Sequence, residues 1–350
     1  MLHSKNAIAI PPGATIREQL ENRGMSQKEF ALRMDMSEKH ISHLINGKVE
    51  LSKDVALRLE SVLGLPASFW NNLEAIFREQ LARVNSELDR ERDEEIACSM
   101  PYSIIASFGW VPSTKDLGEK VDNLRNYFEV ARLELLEGLC VPGIAYRTTG
   151  SNATSDYALA AWAQKARLEA RKILTMPINI RKLRDSILTI RSLTTKEPAV
   201  FCDELSSLLA ECGVGIVFLP HINGSFLHGA SFVDGNHIVV GLTVRGKYAD
   251  RFWFSLFHEL YHIIEGHINS PNGTSDEQEQ CADSFAQDIL IRPSDYREFI
   301  KCNDFACSAI VSFADKIGID PGIVLGRLQK ENLVPYSWFN YLKTKYMINE

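Results

Sequence analysis

The stretch 251–264, RFWFSLFHELYHII, constrains this chain more than any other. It is too apolar for a solvated helix, and its pattern predicts a long helix over 249–266, buried against the rest of a domain. On a helix, residues four apart lie one above the other. His258 and His262 can therefore aim two imidazoles at one ion, with Glu259 beside them to hold a water.

At 350 residues the chain exceeds a typical single domain, so two or three domains are expected. Its 45% hydrophobic and 24% charged residues exclude a largely disordered chain. No apolar run reaches the roughly 18 residues that span a bilayer. The start, MLHSKNAIAIPPG, lacks the apolar core and small-residue cleavage site of a secretory signal, so a cytoplasmic protein without a membrane partner is expected. Seven scattered cysteines with no CxxC pair read as reduced thiols. The formal charge of −7 argues against broad non-specific affinity for nucleic acid. It does not exclude a local DNA-binding module, because residues 1–80 hold ten Lys/Arg and ten Asp/Glu and are neutral.

Residues 14–80 read as short helices punctuated by caps. Ser26 with Glu29 three residues on has the capping-box arrangement, Ser37 precedes a helix stopped by Gly47, and a further helix fits Ser52 to Leu63, closed by Gly64. The charge-dense 81–97 reads as an exposed helix or linker, hence a boundary. Helical patterning continues to 195, with Leu159, Trp162, Ala163 and Ala166 on one stripe. Two strands follow, at 213–219 and 237–242, with turn chemistry at Asn223-Gly224 and Asp234-Gly235-Asn236 between them. The helix over 249–266 and another over 276–291, ended by Pro293, complete the pattern.

The run His258-Glu259-Leu260-Tyr261-His262 is the HExxH arrangement of zinc hydrolases. A catalytic zinc needs a third protein ligand and one open position. A metzincin would place His six residues after His262 and Gly three after it, but those positions are Ile268 and Glu265. The later helix offers Glu277 and Glu279, while His267 reads as a helix-end residue near the last carbonyls. Glu279-x-x-Ala282-Asp283 resembles the Glu-x-x-Ser/Ala-Asp signature of gluzincins. That resemblance implies Glu279 as third ligand and Asp283 as a carboxylate that hydrogen-bonds a ligating imidazole, His258.

The segment from about 200 to 335 resembles the ImmA/IrrE family of metallopeptidases, through LLAECGVGIVFLP, His228-Gly229-Ala230, HIVVGL, FWFSLFHELYHII and EQCADSFAQDILIRP. The resemblance implies a gluzincin-like zinc peptidase acting on repressor proteins, with His258, His262 and Glu279 on zinc and Glu259 as general base. Arg292 departs from the family pattern at the end of the second helix. His228 and Tyr261 are candidate oxyanion donors. An exposed strand such as HIVVGL is a candidate surface for an extended substrate.

In front, SQKEFALRMDMSEKHISHLINGK has the organisation of a helix-turn-helix, with Ala31 and Ile41 where two helices pack and Leu44 continuing the buried stripe. Residues 10–80 resemble the Xre/Cro family in its HigA-like antitoxin branch. The resemblance implies that the helix beginning at Ser37 enters the major groove. Ser37, Glu38, Lys39, Ser42 and His43 are then candidates for base or sugar-phosphate contact, Gln27 is one for phosphate, and binding to a palindromic operator implies a homodimer.

The expected fold is α+β and mostly helical. It comprises an all-α helix-turn-helix domain over 10–80, a helical middle segment over 81–195, and a zincin-like domain with a small β-sheet over 196–350. Two functions follow. One is a transcriptional regulator whose Zn2+ endopeptidase domain cleaves a repressor or the chain itself; the other is an antitoxin-like DNA-binding repressor whose zincin domain is a sensor or scaffold.

Overall fold

The computed structural model describes residues 2–4, 8–137, 153–222, 229–243, 248–270 and 273–346. They form a mostly helical chain with a small mixed sheet, in two compact units, Met1–Ile96 and Ala97–Glu350. No helix among them is long and apolar enough to cross a membrane.

The first unit opens with a two-stranded antiparallel pair, β1 (Leu2–His3) and β2 (Ile8–Ala9), and continues through α1 (Gly13–Asn22), α2 (Gln27–Arg33), α3 (Glu38–Ile45), α4 (Lys53–Leu63) and α5 (Ala67–Ser99). Local signals set these boundaries. The hydroxyls of Ser26, Ser37 and Ser52 accept from the backbone N–H three residues on, and Gly64 closes α4 in the left-handed conformation. The box expected at Ser26 is half formed, because the Glu29 carboxylate accepts from Arg33 instead of reaching back to the cap. Ala31, Ile41 and Leu44 are buried with Phe30, Met34 and Trp70 in one core. The charged stretch read as a boundary is the second half of α5. Ion pairs such as Arg83–Glu79 and Arg90–Glu94 run along it at helical spacing, which supports a solvated helix with few apolar anchors.

The second unit contains α6 (Tyr102–Ser107), α7 (Leu117–Phe128), α8 (Ala153–Ala170), α9 (Ile180–Ser192) and α10 (Pro198–Ala210), then the strands β3 (Val214–Leu219), β4 (Gly229–Asp234) and β5 (His237–Thr243). After them come α11 (Ala249–Ile264), α12 (Asp276–Leu290), α13 (Pro293–Lys301), α14 (Cys307–Ile317) and α15 (Pro321–Lys330). The strand order is β3-β5-β4, with β3 parallel and β4 antiparallel to β5. Alternate residues of β5 face opposite layers: Ile238, Val240 and Leu242 join a core with α9, α10 and α11, whereas Gly241 receives the Trp162 ring of α8. The middle helices are therefore not a separate segment. The small residues of α8 let it lie flat on the sheet, so a division at 195 would cut through one core. Leu159, expected on that stripe, is only half-buried, while Ala158, Ala161 and Ala170 are buried.

Two further expectations about the sheet are corrected. Residues 229–234, between the two expected turns and not read as a strand, are a full strand, paired to β5 from Gly229↔Leu242 to Asp234↔His237 and closed by the two-residue turn Gly235-Asn236. HIVVGL is the central strand, with both edges taken, so it offers no edge to an added chain; β3 and β4 are the outer strands of the described sheet, and the turn His267–Asn269 lies against β4. Asn223-Gly224 lies outside the described residues. Pro293 stands where expected, after α12 and at the first position of α13.

Candidate metal centre and nucleic-acid interface

Helix α11 presents polar groups in two directions. His258 and His262 face α12, while Glu259 faces the sheet edge, where Ser231 Oγ on β4 donates to its Oε2 at 2.7 Å. The edge approaches this closely because residue 229 has no side chain: a Cβ there would lie 3.0 Å from Glu259 Cγ. Helix α12 is set by a capping box in which the Ser275 hydroxyl accepts from the Gln278 N–H and the Gln278 side chain accepts from the Ser275 N–H. Its first turn carries Glu279 to the histidines.

Three donor groups converge. His258 Nε2 lies 3.1 Å from His262 Nε2 and 3.3 Å from Glu279 Oε2, and His262 Nε2 lies 3.5 Å from Glu279 Oε1. Taking one ligand atom from each residue, the three lie within 4.8 Å of one another, close enough for His258, His262 and Glu279 to hold one metal ion. The second ring nitrogen of each histidine is also engaged: His258 Nδ1 meets Asp283 Oδ1 at 2.9 Å, and His262 Nδ1 meets His267 Nδ1 at 3.0 Å. Glu277, the alternative carboxylate, is exposed and outside the triangle.

The electrostatics of the cluster call for a positive charge. Burial alone would lower the His258 pKa, but its hydrogen bond with Glu279 and the charges of Glu259, Glu279 and Asp283 outweigh this and raise it. Burial likewise works against ionised Glu279, yet hydrogen bonds from His258 and Thr274 and the charges of both histidines bring its pKa down to about 2. His262, desolvated and facing His258, is held down to about 4. Glu259 is pushed up by burial, with His258 and the Ser231 hydroxyl only partly opposing.

The two oxyanion candidates fare differently. Tyr261 packs its ring on Phe285 of α12 and near the His267 ring. His228 lies outside the described residues.

In the first unit, α2 and α3 are joined by a turn through Asp35, which adopts φ 54, and their packing leaves the start of α3 outermost. Ser37, Glu38 and Lys39 are exposed there, as is Gln27 at the start of α2, whereas Ser42 and His43 are half-buried. Ser37 also caps α3, so its oxygen already accepts from the His40 N–H. This geometry of two short helices with an exposed second N-terminus matches what the comparisons find. The Helix-turn-helix family matches residues 16–70. An uncharacterized HTH-type transcriptional regulator, YddM of Escherichia coli (strain K12), is 32% identical over 81 residues, covering 23% of this chain and 84% of that protein.

The chain belongs to the helix-turn-helix family of transcriptional regulators.

Its similarity extends to a solved addiction module antidote protein of a HigA family from Coxiella burnetii. That chain is 27% identical with a TM-score of 0.22, over 24% of this chain and 92% of the other. The family membership concerns the first unit. In the second unit, sequence reasoning missed Ser231, because a contact between β4 and α11 has no signature in local spacing. It also missed Thr274, which donates to Glu279. The Thr274-Ser275 pair before an acidic helix start is the signal that would have found the latter.

Proposed function

We propose that this helix-turn-helix regulator carries a zinc-dependent endopeptidase in its second unit, acting on a repressor protein or on the chain itself to control transcription. The observation that carries the reading is the convergence of His258, His262 and Glu279, one ligand atom of each within 4.8 Å of the others, with the buried carboxylate of Glu259 beside them. The resemblance to ImmA/IrrE peptidases, and the regulator fused in front, supply the class of substrate.

His258, His262 and Glu279 would hold the ion, and Asp283 would keep His258 in the tautomer that leaves Nε2 for it. Zinc bound there supplies a Lewis acid that brings the pKa of a water toward neutrality and polarises a carbonyl. Glu259 accepts the proton of the attacking water through Oε1, the oxygen not taken by Ser231, and returns it to the leaving amine. An extended substrate chain would lie near β4, next to that base. The first unit recruits the protein to an operator as a homodimer, with Lys39 and Gln27 on phosphates and Ser42 and His43 toward base edges.

The test begins with metal analysis of the full-length protein, which should find about one zinc per chain, lost in His258→Ala. A defined peptide library is then digested and new termini are read by mass spectrometry. Glu259→Gln should keep zinc and lose cleavage. Failure to bind zinc ends the enzymatic proposal, and zinc without cleavage moves the reading to a sensor or scaffold. Lys39→Ala with His43→Ala should weaken binding to the protein's own promoter, and unchanged affinity removes those two residues from the interface.

A further inference from the structure

We infer that His267 is a positioning residue for His262, holding it in the tautomer that presents Nε2 to the cation. The inference rests on the proposal that His258, His262 and Glu279 are a metal centre, and it deepens that proposal.

His267 follows His262 by five residues, a spacing that does not stack side chains on a continuous helix. The contact exists because α11 stops. Gly266 adopts φ 75, in the left-handed region, and the short 3-10 turn His267–Asn269 folds the chain back. Buried Ile268 anchors that turn, which lies against β4. The His267 ring is thereby set 5.2 Å from the ring of His262 and 5.8 Å from that of Tyr261.

The atoms that meet decide the role. His267 Nδ1 faces His262 Nδ1 at 3.0 Å, while His262 Nε2 faces His258 and Glu279 from the opposite edge of the ring. His267 therefore stands behind a ligand and is not itself one. A hydrogen bond at 3.0 Å between two ring nitrogens needs one hydrogen between them. When Nε2 of a neutral His262 gives its lone pair to a cation, the ring hydrogen is on Nδ1, so His262 donates and His267 Nδ1 accepts. His267 then carries its own hydrogen on Nε2. Asp283 serves His258 Nδ1 in the same way, so each ligating imidazole has one partner fixing its orientation.

Zinc affinity of the full-length protein, measured by competition with a chromophoric chelator, tests this without a peptidase substrate. His267→Ala removes the acceptor and should weaken zinc binding about 10–100-fold. His267→Phe keeps the ring and its packing but not the nitrogen, and should weaken binding as much. His267→Asn places an amide oxygen near the position of Nδ1 and should restore affinity close to that of the parent. Parental affinity in His267→Phe, or equal loss in all three variants, overturns the inference. Should a variant fail to fold, ¹⁵N-histidine spectra of the zinc-loaded parent decide. They should place the hydrogen of His262 on Nδ1 and that of His267 on Nε2, and the reverse assignment overturns the inference. If the parent binds zinc no better than His258→Ala does, the metal centre itself fails, which is a distinct result.

Discussion

Gly229 is the residue at which sheet and helix come closest around Glu259. A Cβ added there would lie 2.8 Å from Leu242 Cδ2 and 3.2 Å from Glu259 Oε1, so Gly229→Ala must move the strand edge or the carboxylate. We expect the substitution to cost about 1–3 kcal/mol in urea unfolding, as overpacking does. Zinc affinity should stay near that of the parent, because the nearest atoms to a Cβ at 229 belong to Leu242 and Glu259 and not to a ligand. Cleavage of a substrate should fall at least as far as in Ser231→Ala, which leaves Glu259 without its hydroxyl donor. Parental stability and activity in Gly229→Ala would show that the edge yields freely. At this scale the sequence was readable where spacing alone sets geometry. His258 and His262 share a face because they are four apart, whereas spacing left Glu277 and Glu279 both open and the resemblance to gluzincins singled out Glu279. Ser231 and His267 were not readable as partners. One depends on a strand brought in by β5, the other on a left-handed break at Gly266.

Among elements, the β4–β5 hairpin shows how tertiary context overrides local pattern. GASFVD, with small and polar residues, carries little strand signal of its own, yet its pairing with β5 is continuous. The far end of the hairpin is pinned to α8: Asp234 accepts from Arg171 Nε at 2.8 Å and lies 3.2 Å from Arg167 Nε. Partial burial pushes the Asp234 carboxyl up, but the Arg171 hydrogen bond and the charges of Arg171 and Arg167 more than offset it and hold the pKa below the ordinary aspartate value. A depressed carboxylate pKa contributes stability that is complete above the unfolded value of about 4 and is lost as pH falls through the folded value. Asp234→Asn should therefore cost about 1 kcal/mol at neutral pH, allowing for solvent screening at half-exposed Arg171. Urea midpoints of parent and variant should converge only as pH falls through the depressed folded value of Asp234, below its ordinary range; a gap that persists below that value would assign the effect to packing. The capping box of α12 gives a second test. Ser275→Ala should cost about 1 kcal/mol and also weaken zinc binding, because Glu279 stands in the turn the cap organises. Unchanged zinc affinity would mean that Thr274 and α11 hold Glu279 without the cap.

For the whole molecule, the separate cores of the two units have a thermodynamic consequence. One core gathers Ile16, Phe30, Ile41, Leu59 and Trp70, the other runs from Leu183 to Tyr346, and neither draws a residue from the other unit. Each buries its own apolar surface, so each should unfold cooperatively on its own account. The donor triangle belongs wholly to the second core: α11 supplies two ligands, α12 the third, and the sheet edge the hydroxyl for Glu259. A ligand that binds only the folded state stabilises by RT ln(1 + [L]/Kd), about 2.7 kcal/mol at a hundredfold excess over Kd. For a domain of this size each kcal/mol shifts the midpoint by about 2–4 °C. Scanning calorimetry of the full-length protein should therefore show two transitions, and zinc at a hundredfold over its Kd should raise that of Ala97–Glu350 by about 5–10 °C. A chelator should reverse the shift, and His258→Ala should abolish it. Operator DNA should raise only the transition of Met1–Ile96, where Gln27 and the start of α3 are exposed. A chelator that moves both transitions together would show that the two units are thermodynamically coupled, so that metal occupancy could regulate DNA binding.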